Sequence, residues 1–409
     1  MFARSPLAPE TVATLPAVPG VEVAGMAAGL KESGSPDLFM ASLAKGSTVA
    51  GVFTQSACAA APVAWCRKIL PGGRIRGIVV NSGNANAFTG KAGDRTVAHT
   101  VKEAARLLGC PQKEIFVAST GVIGNPVPQD YLSAKLGALH QRLNAHAWAD
   151  ASAAILTTDT FPKVATRTAR IGDTEVTLAG MAKGSGMIAP DMATMLAFIF
   201  TDAQVPASVL QTMLKRAADR SFNCITVDSD TSTSDTLLLA ATGAAQHPAV
   251  ASAGARIAAD FREALEALAI DLATQVVRDG EGAQKLVTID ISGAKSAASA
   301  RRIGLAVANS PLVKTAIAGS DANWGRVVMA VGKAGEPADR DKLSIAFGGI
   351  TITKRGKIVP DYDEALVESH LQGREVHLAV DVGIGKGSAR VWTCDLTHGY
   401  IEINAEYRT

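Results

Sequence analysis

The chain has 409 residues, 47% hydrophobic, 19% charged and only 5% aromatic, a make-up that builds a globular protein of two or three domains. Its 40 basic and 38 acidic residues leave a formal charge of +2, so the balance asks for no polyanionic partner, and no basic stripe with interleaved aromatics marks a nucleic-acid surface. Cys58, Cys66, Cys110, Cys224 and Cys394 are odd in number and contain no C-x-x-C pair, which argues against a disulfide framework or zinc knuckle and fits a reducing compartment. The opening stretch MFARSPLAPETVATLPAVPG lacks an apolar signal core, and no apolar run reaches the ~20 residues that span a bilayer. A cytoplasmic protein with no membrane partner is the expectation.

Residues 38–43 (LFMASL) and 75–80 (IRGIVV) read as strands that run into Gly/Asn-rich turns. Residues 94–108 read as a helix, with Asp94 as N-cap and apolar positions at Val97, Val101, Ala104 and Leu108. Residues 114–118 form another strand before the loop Ser119-Thr120-Gly121. Residues 129–156 are mostly helical, and 163–180 predict a β-hairpin around Gly172-Asp173. The stretch MAKGSGMIAPDMATMLAFIFTDA, at 181–203, is a glycine-punctuated loop followed by the apolar run 195–200. An apolar strand without alternation is covered on both faces. Helices follow at 206–220 and about 250–278, with strands at 235–240 and near 286–292, 343–349, 376–382, 389–394 and 399–403. Sheets covered by helices are the expected architecture. There is no internal repeat, no disordered linker and no compositional boundary at 193/194.

Thr194 carries the most specific chemistry. A threonine hydroxyl is a weak nucleophile until a base takes its proton. Scission of the preceding peptide bond would free an α-amine with an unperturbed pKa of about 7.7–8.0, near what a base needs at neutral pH. Base and nucleophile would then share one residue. Gly184 and Gly186 allow backbone angles forbidden to other residues, and Pro190 fixes its own φ, so such a loop could present the Ala193 carbonyl to the Thr194 hydroxyl. On spacing alone, a flexible turn into a buried strand is the commoner explanation.

Other features are set aside. GIGKGS at 383–388 lacks the G-x-x-x-x-G-K-[ST] spacing of a phosphate cradle and reads as a tight turn. The seven histidines show no ligand-like pairing, so no metal is expected. VDSDTSTSD at 227–235 lacks the glycine and terminal glutamate of a calcium loop and reads as a polar structural turn. Cys58 and Cys66 read as packing residues.

KGSGMIAPDMATML resembles the self-processing signature of the glutamate N-acetyltransferase family, also called ornithine acetyltransferase; Asp191 stands where that pattern usually has asparagine. The resemblance runs end to end through NSGNANAFTG at 81–90, STGVIGNP at 119–126, LTTDTFPK at 156–163, ITVDSDTSTSDT at 225–236, DGEGAQK at 279–285, SDANWGR at 320–326 and CDLTHGYIEINAEYRT at 394–409. It implies an α/β fold layered as an α-β-β-α sandwich. It also implies cleavage between Ala193 and Thr194 into an α chain, 1–193, and a β chain, 194–409, assembled as α2β2. The Thr120 hydroxyl and Gly121 N–H match the family's oxyanion hole, and Thr157, Lys183, Thr194, Glu281, Asn404 and Thr409 match its substrate contacts. Chemically, Lys183 suits an α-carboxylate and Glu281 the ammonium of ornithine.

The activity implied is transfer of an acetyl group from N-acetylornithine to glutamate through acetyl-Thr194, in arginine biosynthesis. No cofactor is expected; acetyl-coenzyme A, which some family members accept as donor, stays open as a substrate. A self-processed aminopeptidase or amidase, with water in place of glutamate, is the alternative, and a non-enzymatic scaffold the third reading.

Overall fold

The computed structural model describes residues 3–189 and 195–406. Its elements run β1 (Val21–Met26), β2 (Leu38–Leu43), β3 (Thr48–Phe53), α1 (Ala61–Ile69), β4 (Gly77–Asn84), α2 (Gly90–Leu107), β5 (Ile115–Val122), α3 (Ser133–His140) and α4 (Trp148–Ala154). The hairpin β6 (Lys163–Ile171) and β7 (Thr174–Lys183) follows, then β8 (Leu196–Thr201), α5 (Ala207–Arg220), β9 (Thr236–Ala241), α6 (Ala259–Arg278) and β10 (Leu286–Ala294). The remainder is α7 (Ala297–Ala308), α8 (Pro311–Ala318), α9 (Trp324–Gly332), β11 (Ser344–Phe347), β12 (Ile350–Lys354), β13 (Lys357–Ile358), α10 (Glu364–Gln372), β14 (Glu375–Asp381), β15 (Gly387–Cys394) and α11 (His398–Glu406).

Three sheets result. The first has the order β1-β2-β4-β5, the second β3-β9-β8-β7-β6, and the third β13-β12-β11-β14-β10-β15. Strand β8 sits at the middle of the second sheet, antiparallel to β7 and parallel to β9, and all six of its residues are buried. Its alternate side chains go opposite ways: Phe198 and Phe200 join the core shared with the first sheet, whereas Ala197 and Ile199 join the core under α5 and α6. That is why the run is apolar throughout instead of alternating. Helices α1, α2 and α3 pack on the first sheet, so the layers are helix, sheet, sheet, helix, as expected. The third sheet, packed against α7, adds to that sandwich and extends the core under α6.

Two expected boundaries are corrected. Asp94 is not an N-cap, because α2 begins four residues earlier at Gly90. The preceding turn is held from within: Asn86 Nδ2 donates to the Gly93 carbonyl at 3.2 Å, and Thr89 Oγ1 to Asn86 Oδ1 at 2.9 Å. Residues 399–403 are not a strand but part of α11. The alternation of Ile401 and Ile403 misleads there, since Ile401 is 64% exposed and no sheet edge receives it. Strands β1 and β3, whose glycines interrupt the apolar pattern, were not anticipated. Cys66 is buried, with its thiol 3.1 Å from the Val117 carbonyl, as a packing residue should be, whereas Cys58 is exposed and is not a packing residue.

Phe198 joins the two stacked sheets, its ring 5.9 Å from that of Phe39 in β2. Phe198→Ala should therefore lower stability by about 3–5 kcal/mol. Urea unfolding of the purified variant measures this, and a loss below about 1 kcal/mol would contradict the packing described.

Candidate active site

The cleft forms where strand ends from different sheets meet. In the first sheet β4 and β5 run parallel and pair Ser82 with Thr120 and Gly83 with Gly121, where the register shifts. Gly83 and Gly121 have φ of 94° and 126°, and a Cβ on Gly121 would lie 2.4 Å from the Gly83 carbonyl carbon. Only glycine permits that approach. It leaves Thr120, 4% exposed, at the cleft wall.

From the second sheet comes Lys183, the last residue of β7, which is 3% exposed. Its Nζ donates to Thr120 Oγ1 at 3.1 Å. An ammonium only donates, so the threonine oxygen is the acceptor and the Thr120 proton stays available to the cleft. Burial pushes the Lys183 ammonium below the ordinary lysine range, with Asp159 pulling the other way.

Behind Lys183 lies an ion cluster without solvent contact. Lys163 Nζ donates to Asp159 Oδ1 at 2.5 Å and also to Asp279 Oδ2. Burial opposes the Asp159 charge, yet Lys163 and Lys183 outweigh it and hold its carboxyl below the usual range; burial pushes Asp279 upward. Asp159 also accepts the N–H of Thr157 at 2.9 Å and that of Gly184 at 2.7 Å. One carboxylate thus fixes both the Thr157 turn and the backbone just beyond Lys183.

The glycine loop is tied down along its length. The Glu281 N–H donates to the Ser185 carbonyl at 3.0 Å. Asp228 accepts from Met187 N at 2.6 Å and Ile188 N at 2.9 Å, and the Ile188 carbonyl accepts from Val227 N at 2.8 Å. A Cβ on Gly186 would sit 2.3 Å from Glu281 Oε2, so glycine there makes room for the carboxylate. Asn404 Nδ2 donates to the same Glu281 oxygen at 2.8 Å. On the far side of residues 190–194, Met195 N donates to Asp235 Oδ1 at 2.9 Å.

Thr120, Gly121, Thr157, Lys183, Glu281 and Asn404 all line one cleft of about 200 Å³. These are the six expected site residues that fall within the described chain. Ala193, Thr194 and Thr409, together with Asp191, lie outside it. The cleft is also lined by Asp228, Asp230, Ser232, Thr233, Ser234 and Tyr400, which the sequence reading did not assign to it. The run 227–235 is accordingly more than a polar turn: it is a wall of the site. Asp159 was legible only as the fourth residue of the quoted LTTDTFPK. Among the described residues, no group of three or more His, Cys, Asp or Glu is placed to hold a metal ion.

The cleft offers one cation, Lys183, the carboxyl groups of Glu281, Asp228 and Asp230, and the Thr120 hydroxyl donor. It suits a small zwitterion and an oxygen that becomes negative.

Known proteins match the whole chain. An arginine biosynthesis bifunctional protein of Gluconobacter oxydans is 55% identical over 99% of this chain and 95% of its own length. The protein of the same name from Bradyrhizobium diazoefficiens is 55% identical over 99% of both chains. A crystal structure of the arginine biosynthesis bifunctional protein of Bacillus halodurans aligns with a TM-score of 0.50 and 37% identity, covering 98% of that chain and 51% of this one. The family model named for these proteins matches residues 22–409, and on that match and these identities the chain belongs to the ArgJ family.

Proposed function

We propose that this enzyme of arginine biosynthesis is a self-processing glutamate N-acetyltransferase that moves an acetyl group from N-acetylornithine to glutamate through Thr194. The observation that carries the reading is the convergence of six residues from five separate stretches of the chain on one cleft, beside a loop whose backbone is anchored on both sides of 190–194. Cleavage between Ala193 and Thr194 gives chains 1–193 and 194–409. A solved family chain that aligns over 98% of itself but 51% of this sequence supports a mature protein of two chains.

In the first half-reaction the Thr194 hydroxyl passes its proton to its own α-amine and attacks the acetyl carbonyl. Negative charge develops on that oxygen and is met by the Thr120 hydroxyl and the Gly121 N–H; such a donor is worth about 2.7–4 kcal/mol. Lys183, gripping the Thr120 oxygen, keeps that proton directed outward and offers its remaining N–H bonds to the substrate carboxylate. Glu281, held by Asn404, receives the ornithine ammonium. The C–N bond breaks, ornithine leaves with the returned proton, and the acetyl ester remains. Glutamate then attacks through its amine and departs as N-acetylglutamate.

Thr157 and Thr409 complete the substrate contacts in this reading. The protein works in the cytoplasm as an α2β2 assembly without a resident cofactor, and acetyl-coenzyme A remains a second donor to be compared in the same assay. No described helix is long and apolar enough to cross a membrane. A hydrolase would need only water as acceptor; the paired Lys183 and Glu281 favour an amino-acid acceptor.

Thr194→Ala should leave a single uncut chain on a denaturing gel and lower acetyl transfer by at least about 10³-fold. Incubation of the unaltered protein with N-acetylornithine should add one acetyl mass to the peptide that begins at Thr194; its absence there, or hydrolysis outrunning transfer to glutamate, would overturn the proposal. Gly186→Ala should displace Glu281 and raise KM for N-acetylornithine about tenfold or more, with a smaller change in kcat. Initial rates at varied donor concentration test this, and an unchanged KM would remove Glu281 from the binding role.

A further inference from the structure

One buried carboxyl beside the reaction centre is unused by the mechanism above. Asp235 closes the run Ser232-Thr233-Ser234-Asp235, whose first three residues line the cleft. The run is rigidly held: Thr54 Oγ1 donates to the Ser232 carbonyl at 2.6 Å, Ala60 N to the Thr233 carbonyl at 2.8 Å, and Thr54 N to the Asp235 carbonyl at 3.1 Å. The Asp235 residue is wholly buried. Its Oδ1 accepts the Met195 N–H at 2.9 Å, while Thr236 N donates to the Met195 carbonyl at 3.1 Å. Both backbone polar groups of the residue that follows Thr194 in the chain are therefore taken by one rigid segment.

The other oxygen, Oδ2, makes no close hydrogen bond among the described residues, the Thr54 hydroxyl being its nearby polar neighbour. Native structures leave few buried polar atoms unpaired, and those few call for a reason. Burial pushes this carboxyl well above its usual range, while the Met195 N–H, the Thr54 hydroxyl and the Lys183 charge pull the other way. An amide side chain has the same shape and keeps an oxygen that can accept the Met195 N–H. The Met195 N–H belongs to the planar unit that also contains the Thr194 carbonyl, so a grip on one governs the direction of the other.

We infer that Asp235 is a positioning residue for the chemistry at Thr194, its side chain gripping the Met195 amide and aiming the peptide unit that joins the nucleophile to β8. The assignment rests on the self-processing reading. It acts on cleavage and on acetyl transfer alike, without touching substrate.

The test uses the full chain with Asp235→Ala and Asp235→Asn, freshly purified beside the unaltered protein. Conversion to two chains is followed on denaturing gels, kcat and KM are measured on the processed fraction, and thermal unfolding is recorded for each. Asp235→Ala should slow cleavage about tenfold or more and lower kcat by a similar factor, with KM within about twofold. Asp235→Asn should restore both rates to within about threefold, because its carbonyl still accepts the Met195 N–H. Cleavage and turnover of Asp235→Ala at the unaltered rates would overturn the assignment, as would a raised KM at constant kcat. Should Asp235→Ala fail to fold, Asp235→Asn decides alone: a variant that melts like the unaltered protein yet stays uncut overturns it. An unaltered chain that itself stays whole overturns the self-processing reading instead, and the assignment with it.

Discussion

The site depends on acidic side chains that hold backbone amides in place. Asp159 takes the Gly184 amide, Asp228 the amides of Met187 and Ile188, and Asp235 that of Met195. A glycine-rich loop is entropically costly to fix, about 1–2 kcal/mol per residue for the backbone alone. Hydrogen bonds to charged groups return about 1.5–3 kcal/mol each, more than neutral ones. The cost of burying the acceptors is met locally. Lys163, itself without solvent contact, neutralises Asp159 and reaches Asp279, while burial pushes the Asp235 carboxyl well above its usual range.

The layered sandwich decides where these groups can meet. Thr120 lies near the end of β5 in the first sheet, Lys183 ends β7 in the second, and Glu281 stands between α6 and β10, at the entrance to the third. Phe39 and Phe198 stack the first two sheets, and the edge of that packed layer brings Lys183 Nζ onto Thr120 Oγ1. Close packing transmits placement well, since well-packed interiors have few voids to absorb a shift. The hydroxyl donor, the cation and the carboxylate are accordingly fixed by core geometry rather than by flexible surface loops.

Much of this was legible in the sequence. The unbroken apolar run before Asp202 announced a strand buried on both faces, and Gly172-Asp173 announced the hairpin between β6 and β7. The motif resemblance named Thr120, Gly121, Thr157, Lys183, Glu281 and Asn404 before any coordinates placed them together. What stayed hidden were groups whose role exists only in three dimensions. Asp228 and Asp235 sit in a Ser/Thr/Asp run that locally looks like any polar turn, and nothing in it says that a backbone some forty residues upstream needs acceptors. The tail misled for a different reason: Tyr400 and Asn404 are one helical turn apart, but Ile401 and Ile403 imitate the two-residue period of a strand.

That terminal helix has a consequence of its own. None of the residues of α11 is buried, yet it supplies Tyr400 and Asn404 to the cleft. The pocket is therefore made of unequal parts, with most walls cut from the body of the molecule and one leaned against it. Detaching the leaning wall breaks a few polar contacts and exposes little apolar surface, so its opening free energy sits far below that of global unfolding. Traffic of amino acids through the cavity thus need not disturb the parts that do the chemistry.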